Sequence, residues 1–288
     1  MADSFIERLA RKVDPWESNN KAGGAAAEGG GIRALLRRFY WWSQRELAIR
    51  YLPIIRELHS GGGEEYPRVL EVGSGLLGLA RFTGRKVIGV DLNPGGPRRN
   101  NLFRIGADAG ALPFKAESMD LVVSLDTLEH IPEGKRKAMV SELLRVARKK
   151  VFLGCPTREK AQLWEDRIRV VFDRKVREWK RSAWSKRSFI ERNSFLAEHE
   201  QYGLPSEYEI SRYIEEVTRE SGYDCAATSF DNEQILVWYY AVLGDMKYSY
   251  FRWAVTAIVY SIFFSLLARI KKGGCYRKMF VIEKKVRS

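Results

Sequence analysis

Cysteine is scarce. Cys155, Cys225 and Cys275 are the three in a chain of 288 residues, and their wide, odd-numbered spacing supports neither a disulfide framework nor a zinc site. Long apolar runs are missing as well: the most apolar stretch, Trp253 to Ala268, has sixteen residues, short of the roughly 20 that a simple membrane crossing needs. The beginning of the chain, MADSFIERLARK, has no long apolar core and no small-residue cleavage site, so no secretory signal is expected and a cytoplasmic location is. What remains is 45% apolar and long enough to bury one α/β core with an elaborated appendage; length alone does not demand two domains.

The informative stretch is VLEVGSGLLGLARFTGRKVIGVD, residues 69 to 91. Val69, Leu70 and Val72 form a short, β-branched run halted by Gly73, the pattern of a strand buried on both faces. Gly73 and Gly75 let the backbone turn tightly and approach a ligand, and a short helix is expected to follow. A second apolar run, Val87 to Val90, ends at Asp91, where a carboxylate can accept hydrogen bonds from both hydroxyls of a ribose. Strand, glycine turn, strand and acid in this order make half of a nucleotide-cofactor site.

Charge and a missing glycine decide which nucleotide. Dinucleotide sites use a third glycine for close helix packing and hold pyrophosphate at the helix N-terminus, but Leu76 and Leu77 occupy this turn. No Gly-Lys-Ser/Thr follows, which argues against a triphosphate loop. Glu71, one residue before the turn, would repel a pyrophosphate and suits a ligand carrying an amino group and a sulfonium. S-adenosylmethionine (SAM) is that ligand.

On these residues the chain resembles the class I SAM-dependent methyltransferases, in particular the large group that acts on small molecules and lipids. GADAGALPF (106 to 114) is similar to the segment whose aspartate, here Asp108 followed by Ala109, binds the adenine amino group. MDLVVSLDTLEHIP (119 to 132) is similar to the fourth strand and its exit loop, and SELLRVARKKVFLGCP (141 to 156) to the next helix and the fifth strand. The resemblance runs unbroken over about 67 to 156. It implies an α/β, Rossmann-like fold with a seven-stranded, mostly parallel sheet plus helical insertions, and SAM as cofactor. Implied cofactor contacts are Glu71, Gly73, Ser74, Gly75, Asp91, Leu92, Asp108, Ala109 and Ser124. The departure lies in the turn, where the family usually has its third glycine at the position of Leu77 and this chain has Gly78.

Methyl transfer asks little of side chains, because the sulfonium is already an activated donor and alignment in a dry pocket supplies much of the rate. A base is needed only where the acceptor must lose a proton. His130, in LEHI at the exit of the fourth strand, is the candidate catalytic residue, since it sits at the rim of the cleft and titrates near neutrality; a structural role in the loop is the alternative. FLAEHEQYGLPS (195 to 206) is the second patch, where His199, Glu198 and Tyr202 face either an acceptor or a lid whose turn is marked by Gly203 and Pro205. No metal site is expected.

Four regions follow: N-terminal helices and a Gly/Ala-rich linker (1–66, with NNKAGGAAAEGGG at 19–31), the SAM-binding core (67–156), a basic helical insertion or lid (157–223), and C-terminal strands carrying an apolar helical insertion (224–288). A helix over Ile32 to Leu58, bent at Pro53, is expected, and the resemblance implies that it caps the cleft. Between Arg145 and Arg187 there are fifteen Lys or Arg against five Asp or Glu, which is most of the net charge of +13. Within it, Leu163, Trp164, Ile168, Val171, Phe172, Val176 and Trp179 recur at helical spacing over Arg158 to Arg181. Such a helix either lies on an anionic membrane or packs its stripe on the core with its charges solvated. Trp253 to Ala268, with an aromatic belt at its start, is read as peripheral membrane contact or as a buried interface. Contact through 248–272 and 158–181 would place the protein at the inner face of a membrane. A helix over Ser206 to Ser221 and strands over Cys225 to Phe230 and Tyr276 to Glu283 complete the reading.

For the acceptor, a small molecule, and specifically a lipid-linked or glycan precursor, is expected. SLDT stands where exocyclic-amino methyltransferases of nucleobases carry [DN]PP[YF], and no aromatic-basic RNA module is recognisable. Nucleic acid is therefore not the expected partner. An RNA methyltransferase, or a SAM-binding membrane scaffold without turnover, remain the alternatives.

Overall fold

The computed structural model describes residues 45–60, 65–96, 98–180, 183–246 and 274–285. Among these, seven strands form one sheet: β1 (Val69–Val72), β2 (Val87–Asp91), β3 (Leu102–Gly106), β4 (Met119–Leu125), β5 (Ala147–Pro156), β6 (Cys225–Gln234) and β7 (Cys275–Lys284). Their order is β3-β2-β1-β4-β5-β7-β6. The first five are parallel, whereas β7 runs antiparallel to both β5 and β6. This is the seven-stranded, mostly parallel Rossmann-like sheet. The chain order reverses between β1 and β4, so the crevice outside their carboxyl ends is where such a sheet binds a ligand.

The central strands are apolar because both faces are covered. Every residue of β1 and of β4 is buried. Leu70 and Val72 join Val122, Leu153 and Phe280 in one cluster, while Val69 joins Leu121, Val123, Phe152 and Met279 in the other, so neighbours along a strand serve opposite layers. The first layer is covered by α2 (Glu133–Val146), through Met139, Val140, Leu143 and Leu144, together with α6 (Glu207–Ser221). The second is covered by Ile54, Ile55 and Leu58 of α1 (Arg45–Ser60), which contains Pro53. Each fully buried Leu, Ile or Val contributes about 1.5–3 kcal/mol.

A third cluster lies over β7. Here α3 (Arg158–Arg177), α4 (Ala183–Arg192), α5 (Phe195–Tyr202) and α7 (Ile235–Met246) gather Ala161, Ile168, Phe189, Leu196, Trp238 and Tyr276. The Trp238 and Tyr276 rings stack at 3.8 Å.

The short helix expected after the turn is a single 3-10 turn, Gly78–Arg81. Three expectations are corrected. β6 continues past Phe230 to Gln234. α3 ends at Arg177, before Arg181. Its stripe packs inward through Trp164, Ile168, Val171, Phe172 and Val176, but Leu163 is exposed because it lies beyond the arc that α7 and β7 cover. The expected helix before Arg45 and the apolar segment 253–268 lie outside the described residues.

Candidate functional site

The glycine turn closes on itself at the carboxyl end of β1. Gly73 (φ +78°), Gly75 (+52°) and Gly78 (+47°) are all left-handed, which a side chain would oppose. Gly73 N–H and Ser74 N–H both donate to Val90 O, at 2.8 and 3.1 Å, which fixes the turn against β2. A Cβ at Gly73 would collide with the Thr127 side chain, and one at Gly78 with the Glu71 carboxylate. Gly78 thus does the close-packing work of a third glycine.

Glu71 is placed differently from the expectation. It is fully buried beneath the turn, where one carboxylate oxygen accepts from Tyr51 OH (2.8 Å) and the other from Leu79 N–H (2.6 Å). Burial is the main cause that pushes its pKa up to about 7, with the Asp91 charge adding to it and these two hydrogen bonds opposing. Its visible work is to brace the turn from behind.

Asp91 stands at the end of β2. Its Oδ2 accepts from Gly75 N–H at 2.9 Å and its Oδ1 from Asn93 N–H at 3.1 Å. A carboxylate has about four acceptor positions, so these two leave two for the hydroxyls of a ribose. Leu92, next to it, is 71% exposed, an apolar surface open to a flat ring. Asp108 Oδ1 accepts from Gly110 N–H at 2.7 Å, the self-bonded turn to which Asp is prone, and Ala109 packs on the first core cluster. Ser124 ties two strands together. It is fully buried in mid-sheet, and its hydroxyl donates to Val72 O at 3.0 Å.

Beyond β4 the loop Asp126–Thr127 leads into a second 3-10 turn, Leu128–His130. Asp126, at φ +50°, accepts from Arg50 at 2.9 Å and from Arg277. Burial alone would raise its pKa, but Arg277 and Arg50 outweigh burial and hold it below the usual carboxylate range. His130 Nδ1 is 2.7 Å from Glu198 Oε2 on α5. Its ring lies 4.9 Å from that of His199, which is buried and paired through Nδ1 with Glu165 of α3 at 3.0 Å. Tyr276 OH donates to the same Glu165 at 2.5 Å. Burial and then the neighbouring His199 lower the His130 pKa, against the pull of Glu198. Glu129 is buried, and burial followed by the Asp126 charge raises its pKa well above the ordinary value. Tyr202 is half-buried and is engaged through its main-chain carbonyl, which accepts from Arg136 at 3.0 Å.

Residues 70–155 match the family model described as a methyltransferase domain. These residues are thus a methyltransferase domain, of the kind that uses SAM. No curated protein matches the chain by sequence. Similar solved structures include the plantazolicin methyltransferase in complex with a triazolic desmethyl analogue and S-adenosylhomocysteine (12% identity, 99% of each chain, TM-score 0.47). Others are magnesium protoporphyrin IX methyltransferase of Synechocystis PCC 6803 (13%, 98% of this chain and 99% of that one, 0.42) and phosphoethanolamine N-methyltransferase 2 of Haemonchus contortus (16%, 85% and 53%, 0.45).

The sequence reading singled out the turn, Asp91 and the two histidines, which the structure places beyond the carboxyl ends of the strands or packed against them, but not Tyr51, Thr127 or Glu165. Tyr51 and Thr127 do their work by filling the underside and the wall of the turn. No local pattern announces that, although the strict glycine at 73 implies a bulky neighbour. Glu165 sits on the buried face of α3 at 0% exposure, and a charged residue on an otherwise apolar stripe was its signal.

Proposed function

We propose that the protein transfers the SAM methyl group to a small-molecule acceptor seated over the exit of β4, with His130 acting on that acceptor. The supporting observation is the His130–His199 pair with its two carboxylates, set three residues beyond the Thr127 that walls the glycine turn. Asp91, Leu92 and Asp108 hold the nucleoside in this reading, and the turn carries the methionine end. The acceptor's lone pair forms the bond to the methyl carbon as the carbon–sulfur bond breaks, and sulfur leaves with the electron pair as a thioether.

A lipid-linked or glycan precursor met at the inner face of a membrane is the acceptor class we favour. What supports it is the outer face of α3, where exposed Leu163 and Val170 alternate with exposed Arg167 and Arg174 at three- and four-residue steps, an apolar and basic surface of the kind that lies on anionic headgroups. Among the described residues no helix is long and apolar enough to cross a membrane.

Incubation of the protein with methyl-labelled SAM and separate membrane-lipid, glycan and RNA fractions tests both points. Label is expected in the lipid or glycan fraction, and His130→Ala should abolish it with SAM affinity intact. Label confined to RNA, or turnover unchanged in the variant, would overturn the reading.

A further inference from the structure

Glu129, His130 and His199 bring their ligand atoms within 4.8 Å of one another. Each histidine has one nitrogen already engaged: His199 Nδ1 by Glu165 at 3.0 Å, and His130 Nδ1 by Glu198 at 2.7 Å. An ionised carboxylate only accepts, so Nδ1 carries the proton and the other nitrogen of a neutral ring presents a lone pair. His199 is 6% exposed, and its Nε2 has no hydrogen-bond partner among the described residues. Glu129 is 1% exposed, and its Oε2 likewise has none.

A buried polar atom without a partner costs about 1–3 kcal/mol. Two such atoms, His199 Nε2 and Glu129 Oε2, lie in this cluster, and both are acceptors once Glu129 is ionised. A cation placed among the three ligand atoms would satisfy both of these and hold the ionised form of Glu129. Carboxylates behind ligating histidines are the usual means of fixing the ring tautomer and raising its basicity, and Glu165 is itself held by Tyr276 OH at 2.5 Å. Arg50 and Arg277, the nearby positive groups, are paired with Asp126 and Glu233 rather than with the cluster itself.

We propose that Glu129, His130 and His199 bind one divalent transition-metal cation, and that the cation takes an acceptor hydroxyl as a further ligand. The second half rests on the methyl-transfer reading above. Two imidazoles and one carboxylate suit Mn2+, Fe2+, Co2+ or Zn2+ better than Mg2+ or Ca2+, and three protein ligands leave positions open. A bound hydroxyl releases its proton to solvent far more readily than a free one. The resulting oxygen attacks the methyl carbon, forming O–CH3 as C–S breaks. His130 then acts through the cation instead of taking the proton itself.

The test is titration of the full-length, chelator-stripped protein with Mn2+, followed by the paramagnetic resonance of the free ion, and with Co2+, followed by its visible absorption. One ion per chain is expected. His199→Ala and Glu129→Gln should each weaken binding at least about tenfold, and Glu165→Gln, which touches no cation, by about 10–100-fold. Calorimetry with SAM on the same samples reports that each variant is folded. Wild type that binds SAM but neither Mn2+ nor Co2+, or uptake unchanged in His199→Ala, overturns the site. Cation binding without SAM binding would leave the site standing and sink the methyl-transfer reading, while an N-methylated product would overturn the hydroxyl assignment alone.

Discussion

At the scale of single residues, the cofactor turn depends on where side chains are not allowed. Gly73 and Gly75 both have left-handed backbones, but only Gly73 has the Thr127 side chain where its Cβ would stand. Gly75→Ala should therefore cost about 1–2 kcal/mol from backbone strain alone. Gly73→Ala should cost more and should weaken SAM binding further, as thermal unfolding and calorimetry on the pair would show. Equal effects would mean that the Thr127 wall is not rigid. Glu71 gives a second prediction. Its folded pKa of about 7 lies above the ordinary 4.5, so it contributes stability that is fully present below about pH 4.5 and is lost as pH rises through 7. Between about pH 5 and pH 8, wild type should lose about 2–3 kcal/mol relative to Glu71→Gln in urea unfolding; parallel profiles would contradict the buried placement. The glycines and Glu71 could be read from sequence because backbone demands and charge are local properties. The partners that give them their roles could not, since Tyr51 comes to Glu71 across 20 residues and Tyr276 to Glu165 across 111.

Elements were legible in proportion to their regularity. The continuous apolar runs of β1, β2 and β4 admit one reading, because a strand buried on both faces has no polar side to confuse the pattern. β6 was shortened in the reading because its exposed middle, Ala226 to Ser229, offers no alternation, and its end is fixed by pairing with β7. α3 shows the limit of periodicity: spacing marked its stripe, but which edge of the stripe meets α7 is a matter of tertiary packing. α6 shows the opposite case. Ser206 and Glu209 form a reciprocal capping box, each side chain accepting from the other's backbone N–H at 3.0 Å, and Gly222 ends the helix at φ +65°. Ser206→Ala should cost about 1 kcal/mol, and Ser206→Thr much less, in chemical denaturation. A loss shared equally by both variants would mean that the hydroxyl is not the cap.

At the scale of the whole molecule, the sheet order puts the glycine turn and the His130 loop side by side. β1 leads into the glycine turn, β2 ends at Asp91, the loop after β4 leads to His130, and the strand order reverses between β1 and β4. The insertion after β5 then folds back, so that α5 carries Glu198 and His199 to the His130 loop. In the methyl-transfer reading proposed above, this segment, remote in sequence, completes the acceptor side. His130, Glu198 and His199 could be singled out from sequence, but Glu165 and Tyr276 could not, because their place beside them depends on how α3 and β7 pack.

The most direct measurement is SAM binding by calorimetry on wild type and Asp91→Ala. Two hydrogen bonds to a charged acceptor, at about 1.5–3 kcal/mol each, predict a loss of about 100-fold or more in the variant. A folded wild type that fails to bind SAM, or an Asp91→Ala variant that binds as tightly, would contradict the account.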